Sequence, residues 1–197
     1  MNAKKTFFVP LLLSLTLVMA LSAQAAPLTR TSGVEVLNSL KQYYTVPNFK
    51  IGGTYESGNE AAYEFGGSGG VTLESLGSAP LQTAYIAVGT PRKDAQGKII
   101  NAVIISSYYS GDATFMYDFW YEGQKGNGFA KGAVVGPGKL IDTNKYYVIF
   151  LDALGLWGTS KPSDGLGMKF PKYSYQDHVQ ANYRLLKDHL KVGKIKL

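Results

Sequence analysis

Two apolar runs constrain this chain more than anything else in it. Ile99 to Ile105 is almost continuously apolar, and Tyr146 to Leu151 repeats the pattern. A strand with one wet face alternates apolar and polar residues. A strand apolar at successive positions is covered on both faces, as in a parallel sheet flanked by helices. The second run is followed by an amphipathic stretch, Tyr175 to Leu190, with Val179, Tyr183, Leu186 and Leu190 as its expected buried stripe. Ser174 is its expected N-cap, and Asp177 stands three residues on in the capping-box position. Lys194 to Leu197 then starts a further strand. The order strand, loop, strand, helix, strand predicts a right-handed crossover unit and an α/β fold.

The preceding residues carry weaker patterns. Val71 to Leu76 and Leu81 to Val88 flank Gly77-Ser-Ala-Pro80, which predicts an antiparallel pair. Pro91 to Lys98 is a polar loop with a turn at Gln96-Gly97. Ser32-Gly-Val-Glu35 reads as a capping box, and Val36, Leu37, Leu40 and Tyr44 then predict a short helix to about Tyr44, ended by Pro47. Phe49 to Tyr55 and Ala61 to Phe65 suggest short strands around the turn Ser57-Gly-Asn59. This N-terminal part reads as a lid, a docking arm or an added sheet edge. No internal repeat is present.

At the start, Lys4 and Lys5, the apolar run Phe7 to Leu21 and the small residues Ala23-Gln-Ala25 have the layout of a cleaved export signal. The run is shorter than the roughly 20 residues that span a bilayer, so no stable membrane anchor is expected after processing. Secretion or a periplasmic location follows as the expectation. Cleavage after Ala25 would remove two lysines from a formal charge of +6. The remaining basic residues are scattered and not interleaved with aromatics, which argues against a nucleic-acid partner. With no cysteine and two histidines, the chain has neither a thiol nucleophile nor the ligand set of a structural zinc site. No metal and no cofactor are expected.

Three stretches point to a family: Ala102-Val-Ile-Ile-Ser-Ser-Tyr-Tyr-Ser-Gly-Asp112, Val135 to Phe150 with the loop Asp152-Ala-Leu-Gly-Leu-Trp-Gly-Thr-Ser160, and Phe170 to Leu190. Ala84 to Thr90 adds a fourth. Together they resemble the homoserine O-acetyltransferase branch of the α/β-hydrolases. The resemblance implies the N-terminal strands and first helices of a mostly parallel sheet, an incomplete α/β-hydrolase fold. In that fold the next element is a strand ending in G-x-S-x-G, with an acid and a histidine later. On this reading residues 1–25 are the signal, 26–65 an extension and 66–197 the N-terminal half of the hydrolase domain.

The resemblance also assigns candidate residues. Ser107-Tyr-Tyr-Ser-Gly-Asp112 aligns with a His-Ala-Leu-Thr-Gly-Asp motif, which carries the family's oxyanion-hole backbone N–H over to Tyr109. Ser107, Tyr108 and Tyr109 depart from the motif, and a narrower, more polar acyl pocket is expected from them. Asp152 lies at the carboxyl end of its strand, where open α/β sheets place ligands. Its simpler role is to fix the following loop by side-chain to backbone hydrogen bonds. Trp157 either lines the pocket or packs on that loop. Ser68, inside a run of glycines, matches G-x-S-x-G formally, but a strand rather than a helix is expected after it, so no elbow forms. His178 and His189 read as surface histidines on one helix. No residue of this chain is therefore expected to be the catalytic nucleophile, acid or base.

Two functional classes remain. One is an exported serine-dependent ester hydrolase or acyltransferase, cut before its catalytic serine and inactive alone, acting on a small-molecule ester or acyl substrate only when completed. The other is a non-enzymatic fragment or the binding half of a split protein. Either way, one side of Ile99–Ile105 is expected to lie largely unpaired, with Asn101 its only interruption, and self-association through that edge is expected.

Overall fold

The two apolar runs lie side by side in one mixed sheet. A computed structural model describes residues 39–55, 68–108, 111–121 and 133–197. In chain order the elements are β1 (Gln42–Val46), β2 (Leu81–Val88), β3 (Ala102–Ser106), α1 (Ala113–Trp120), β4 (Val135–Gly136), β5 (Ile141–Asp142), β6 (Tyr147–Leu151) and α2 (Tyr175–Arg184). The main sheet has the order β1-β2-β6-β3. Strand β6 runs parallel to β3, with Ala102 opposite Tyr147 and Ser106 opposite Leu151. Strands β1 and β2, and β2 and β6, pair antiparallel.

Side chains alternate across the sheet, and both faces are covered. Ile86, Val103, Val148 and Phe150 pack on one face against Ala113, Met116 and Tyr117 of α1. Tyr85, Ala102, Ile149 and Leu151 pack on the other against Leu185 and Leu186, just after α2. That is the arrangement a continuously apolar strand requires. A third cluster, with Val46, Phe49, Ile51, Leu73, Leu81, Leu154 and Ala181, closes the end of the sheet near β1.

Several local expectations are corrected. The helix expected to reach Tyr44 gives way, in its described part, to β1; Gln42-Tyr-Tyr-Thr-Val46 is rich in residues that favour a pleated surface, and pairing with β2 overrides the helical spacing. Residues 32–38 and the strand expected over Ala61–Phe65 lie outside the described residues. Val71 to Leu76 is not a strand paired with β2: Val71 bridges only Ile51, and Glu74–Leu76 is a short 3-10 turn. Strand β2 instead finds its antiparallel partners in β1 and β6. Of the three roles expected for the N-terminal part, β1 fits the added sheet edge, and Val46, Phe49 and Ile51 join a core cluster.

The helix after β6 starts as expected, with Ser174 and Asp177 forming a reciprocal capping box. Its buried side differs from the expected stripe. Val179 is 58% exposed and Tyr183 42%, whereas Asp177, Ala181, Asn182, Leu185 and Leu186 face inward. Two causes act together. Asp177 accepts hydrogen bonds from Gly52 N–H and the Tyr55 hydroxyl, which turns that face to the core. Leu185–His189 then widens into a π-turn, which shifts the phase of the last residues.

The far side of β3 is also occupied. Val192 and Ile195 bridge Ile99 and Ala102 in parallel, Lys196 N–H donates to Ala102 O, and Ile104 N–H donates to Leu197 O. The expected fifth strand therefore lies along β3 from Ile99 to Ile104. Asn101 is no edge-breaking polar residue but a fully buried link: it accepts from Arg92 N–H and donates to Thr90 O and Lys145 O.

Candidate functional site

The carboxyl ends of β3 and β6 meet at one corner, and three charged side chains are buried there. Asp152 follows β6, Asp112 is the N-cap of α1, and Lys41 precedes β1. The register explains why they meet. Gln42 is opposite Tyr85, which is opposite Leu151, which is opposite Ser106. Positions 41 and 43 thus fall on the face that carries α1, as do Ala84 and Asp152. Lys41 Nζ lies 3.0 Å from Asp112 Oδ2 and 3.1 Å from Asp152 Oδ2. Their side chains are 4% (Lys41), 14% (Asp112) and 0% (Asp152) exposed, so all three charges have left most of their water behind.

Burial of that kind is stable only if every charge is met. Asp152 Oδ1 accepts from Ala113 N–H, and its Oδ2 accepts from Gly158 N–H at 3.0 Å. Asp112 Oδ1 accepts from Phe115 N–H at 2.7 Å. One ammonium and the positive end of α1 thus face two carboxylates. Burial works against the Lys41 ammonium, but Asp152 and Asp112 outweigh it and raise its pKa. Burial pushes Asp152 up, against the opposing pull of Lys41 and the Ala113 amide.

The loop after Asp152 is shaped for this cluster. A Cβ on Gly158 would stand 2.6 Å from Asp152 Oδ2 and 2.9 Å from both the Ala84 methyl and Lys41 Cδ. Between Gly155 and Gly158, the half-buried Trp157 adopts a left-handed backbone (φ +49°), rare for a bulky residue. Thr159 Oγ1 closes the loop, its one hydroxyl proton within reach of the carbonyls of Ala153 and Leu156.

The other candidates fall around the same corner. Ser107 N–H donates to Leu151 O, and its buried hydroxyl has no hydrogen-bond partner among the described residues. Tyr108 is about half exposed, its ring set edge-on to Phe115, and its carbonyl accepts from Gly111 N–H. Tyr109 lies outside the described residues. Ser68 is held in a two-residue antiparallel bridge with Thr54, and the chain goes on to the Val71 bridge and a 3-10 turn, not to a helix.

The two histidines differ: His189 is exposed, as expected of a surface histidine, and His178 is not. His178 is half-buried, its Nδ1 accepts from Leu154 N–H at 3.1 Å, and burial lowers its pKa. Its Nε2 lies 3.5 Å from Ser106 Oγ. This resembles a nucleophile and base, but a neutral ring accepting at Nδ1 carries its proton on Nε2. It cannot take a proton from Ser106. His189 stacks on Tyr44 at 4.8 Å and its Nε2 lies 3.1 Å from the Tyr85 hydroxyl, which also donates to Gln42. Burial, with Tyr147 nearby, pushes Tyr85 up to about 12. Sequence reasoning missed Lys41 and Asp112 as site residues. Asp112 was visible as the last residue of the Ser107–Asp112 motif but carried no role there, because the helix it caps was unread.

No family model matches the chain. A homoserine O-acetyltransferase from Haloferax gibbonsii is 39% identical over 123 residues, covering 58% of this chain and 28% of that protein. A serine O-succinyltransferase from Emericella nidulans is 45% identical over 69 residues, 31% of this chain and 13% of that one. Over its matched residues, this chain is homoserine O-acetyltransferase-like. The fold agrees: an acetylester hydrolase from Corynebacterium glutamicum superposes with a TM-score of 0.53 at 19% identity, covering 83% of this chain and 37% of that one. The mixed sheet and its two helices are part of an α/β-hydrolase fold. The chain spans about a quarter of the length of the archaeal acetyltransferase it matches.

Proposed function

We propose that these 197 residues form the oxyanion side of a serine-dependent ester hydrolase or acyltransferase, with the nucleophile, acid and histidine supplied from outside them. The observation that carries this reading is the corner between β3 and α1. It sits at the carboxyl end of a parallel pair, where α/β-hydrolases take one backbone donor for the oxyanion. In the proposed reaction a serine attacks the acyl carbon, a histidine takes and returns the proton, and a backbone N–H in the Ser107–Asp112 turn, assigned to Tyr109, holds the tetrahedral oxyanion. Tyr108 and Trp157 line the acyl side. The leader-like start supports export, and export favours water over an acyl-CoA-dependent transfer, because acyl-CoA is a cytoplasmic metabolite.

The tautomer of His178 and the bridge at Ser68 equally favour a second reading for these residues alone, a non-enzymatic binding half. Both readings expect no turnover of short p-nitrophenyl esters by the purified chain. Turnover abolished by Ser68→Ala would overturn them. The DNA following codon 197 separates them: an in-frame G-x-S-x-G with later Asp and His codons is the result expected for the enzyme. Intact mass of the exported protein, expected to begin near Ala26, tests the leader.

A further inference from the structure

We propose that Lys41 is a positioning residue that locks the β3–α1 corner against the loop Asp152–Gly158. The functional meaning of this lock rests on the reading that the corner supplies an oxyanion donor.

The inference starts from what Lys41 joins. Its two acceptors belong to different elements: Asp112 caps α1, and Asp152 opens the loop after β6. Without the ammonium, the corner and the loop would still share one backbone bond, from Ala113 N–H to Asp152. They would also share two buried like charges, which repel in a site with little water. With the ammonium between them, the same carboxylates attract a common partner. The sign of the force across the corner thus depends on one side chain, which comes from the residue just before β1.

The surroundings are fitted to that side chain. Gly158 leaves room for the lysine stem, and Ala84 beneath it is the smallest side chain that still covers the sheet. The ammonium has two oxygen acceptors within 3.1 Å, and each carboxylate keeps a separate backbone donor at its other contacts. A lysine held only for packing would need none of this. An oxyanion donor is effective when its position is fixed before the reaction, so a lock on the turn that carries it is a functional device and not only a stabilising one.

Amide hydrogen exchange on the full chain tests this in wild type, Lys41→Met and the double variant Lys41→Met/Asp112→Asn. Methionine keeps the stem and removes the charge. Asparagine keeps the N-cap and removes one of the two carboxylates. In K41M the amides of Ala113, Phe115 and Gly158 are expected to exchange at least about tenfold faster, with Ile104 and Tyr147 unchanged. The double variant is expected to restore protection, because it removes the repulsion without returning the lysine. Unchanged exchange in K41M, a uniform rise across the sheet, or no restoration by Asp112→Asn would each overturn the proposal. If K41M fails to fold, the double variant carries the test: a folded chain with a protected corner is expected, and an unfolded one overturns it. Exchange is read without any catalysis, so it decides the lock whether or not the hydrolase reading stands. That reading falls separately, if no nucleophile is encoded beyond codon 197.

Discussion

With Asp152 Oδ2, the Ala84 methyl and the Lys41 stem all inside ordinary contact distance of its missing Cβ, Gly158 has no room to give. Gly158→Ala should cost about 1–3 kcal/mol as an overpacking change, read by urea denaturation. A variant as stable as wild type would mean that the loop shifts freely, which the buried ion cluster does not permit. His178 makes a second prediction at this scale. Its folded pKa is lowered by burial, so the unfolded chain binds the extra proton more readily. The stability this contributes is complete above about pH 6.5 and is lost as pH falls through the lower folded value. His178→Asn keeps an acceptor for Leu154 N–H but cannot titrate. Thermal midpoints measured from pH 7.5 to 4.5 should therefore fall less in the variant. An identical slope would assign the acid sensitivity elsewhere. The bond from Gly158 N–H to Asp152 follows the loop-fixing role expected of that carboxylate. The contacts of Gly158 with Ala84 and Lys41 and the role of His178 were not readable, because those partners come near only in the fold.

At the scale of elements, the start of β3 depends on one amide side chain. Asn101→Leu would leave Arg92 N–H, Thr90 O and Lys145 O without their buried partner. Each such loss is worth about 1–3 kcal/mol, so a total of at least about 3 kcal/mol is expected by denaturant titration, with a smaller loss if water enters. What the sequence disclosed at this scale follows distance along the chain. The Ser174–Asp177 box spans three residues and was legible. Strands β3 and β6 were legible because burial on both faces writes itself into consecutive residues. Strand β1 was not, since its five residues pair with a strand more than thirty residues on, and local spacing suited a helix equally well. Helix α1 was missed for another reason. Ala113-Thr-Phe-Met-Tyr-Asp-Phe-Trp120 is apolar and aromatic nearly all round, so it shows no helical stripe.

For the whole molecule, the state of the sheet edge matters most. The segment Val192–Leu197 covers β3 to Ile104 but is itself partnered on one side only among the described residues, with Ile195 and Leu197 well exposed. Pairing of that segment with a second copy is expected to give concentration-dependent self-association of the 197-residue chain in sedimentation velocity. A monomer at all concentrations, with one cooperative thermal transition, would show that the edge is already blunted, for which Lys194 and Lys196 are the available charges. The family was legible from sequence because its motifs are contiguous. The corner cluster was not, because Lys41 is 71 residues from Asp112 and 111 from Asp152. That separation also sets a timetable. As the chain is made, Lys41 and β1 exist long before the loop that will enclose the ammonium. The ammonium can therefore reach its enclosed state only after the Asp152–Gly158 loop has been made, so closure of this corner is a late, long-range event in the assembly of the fold.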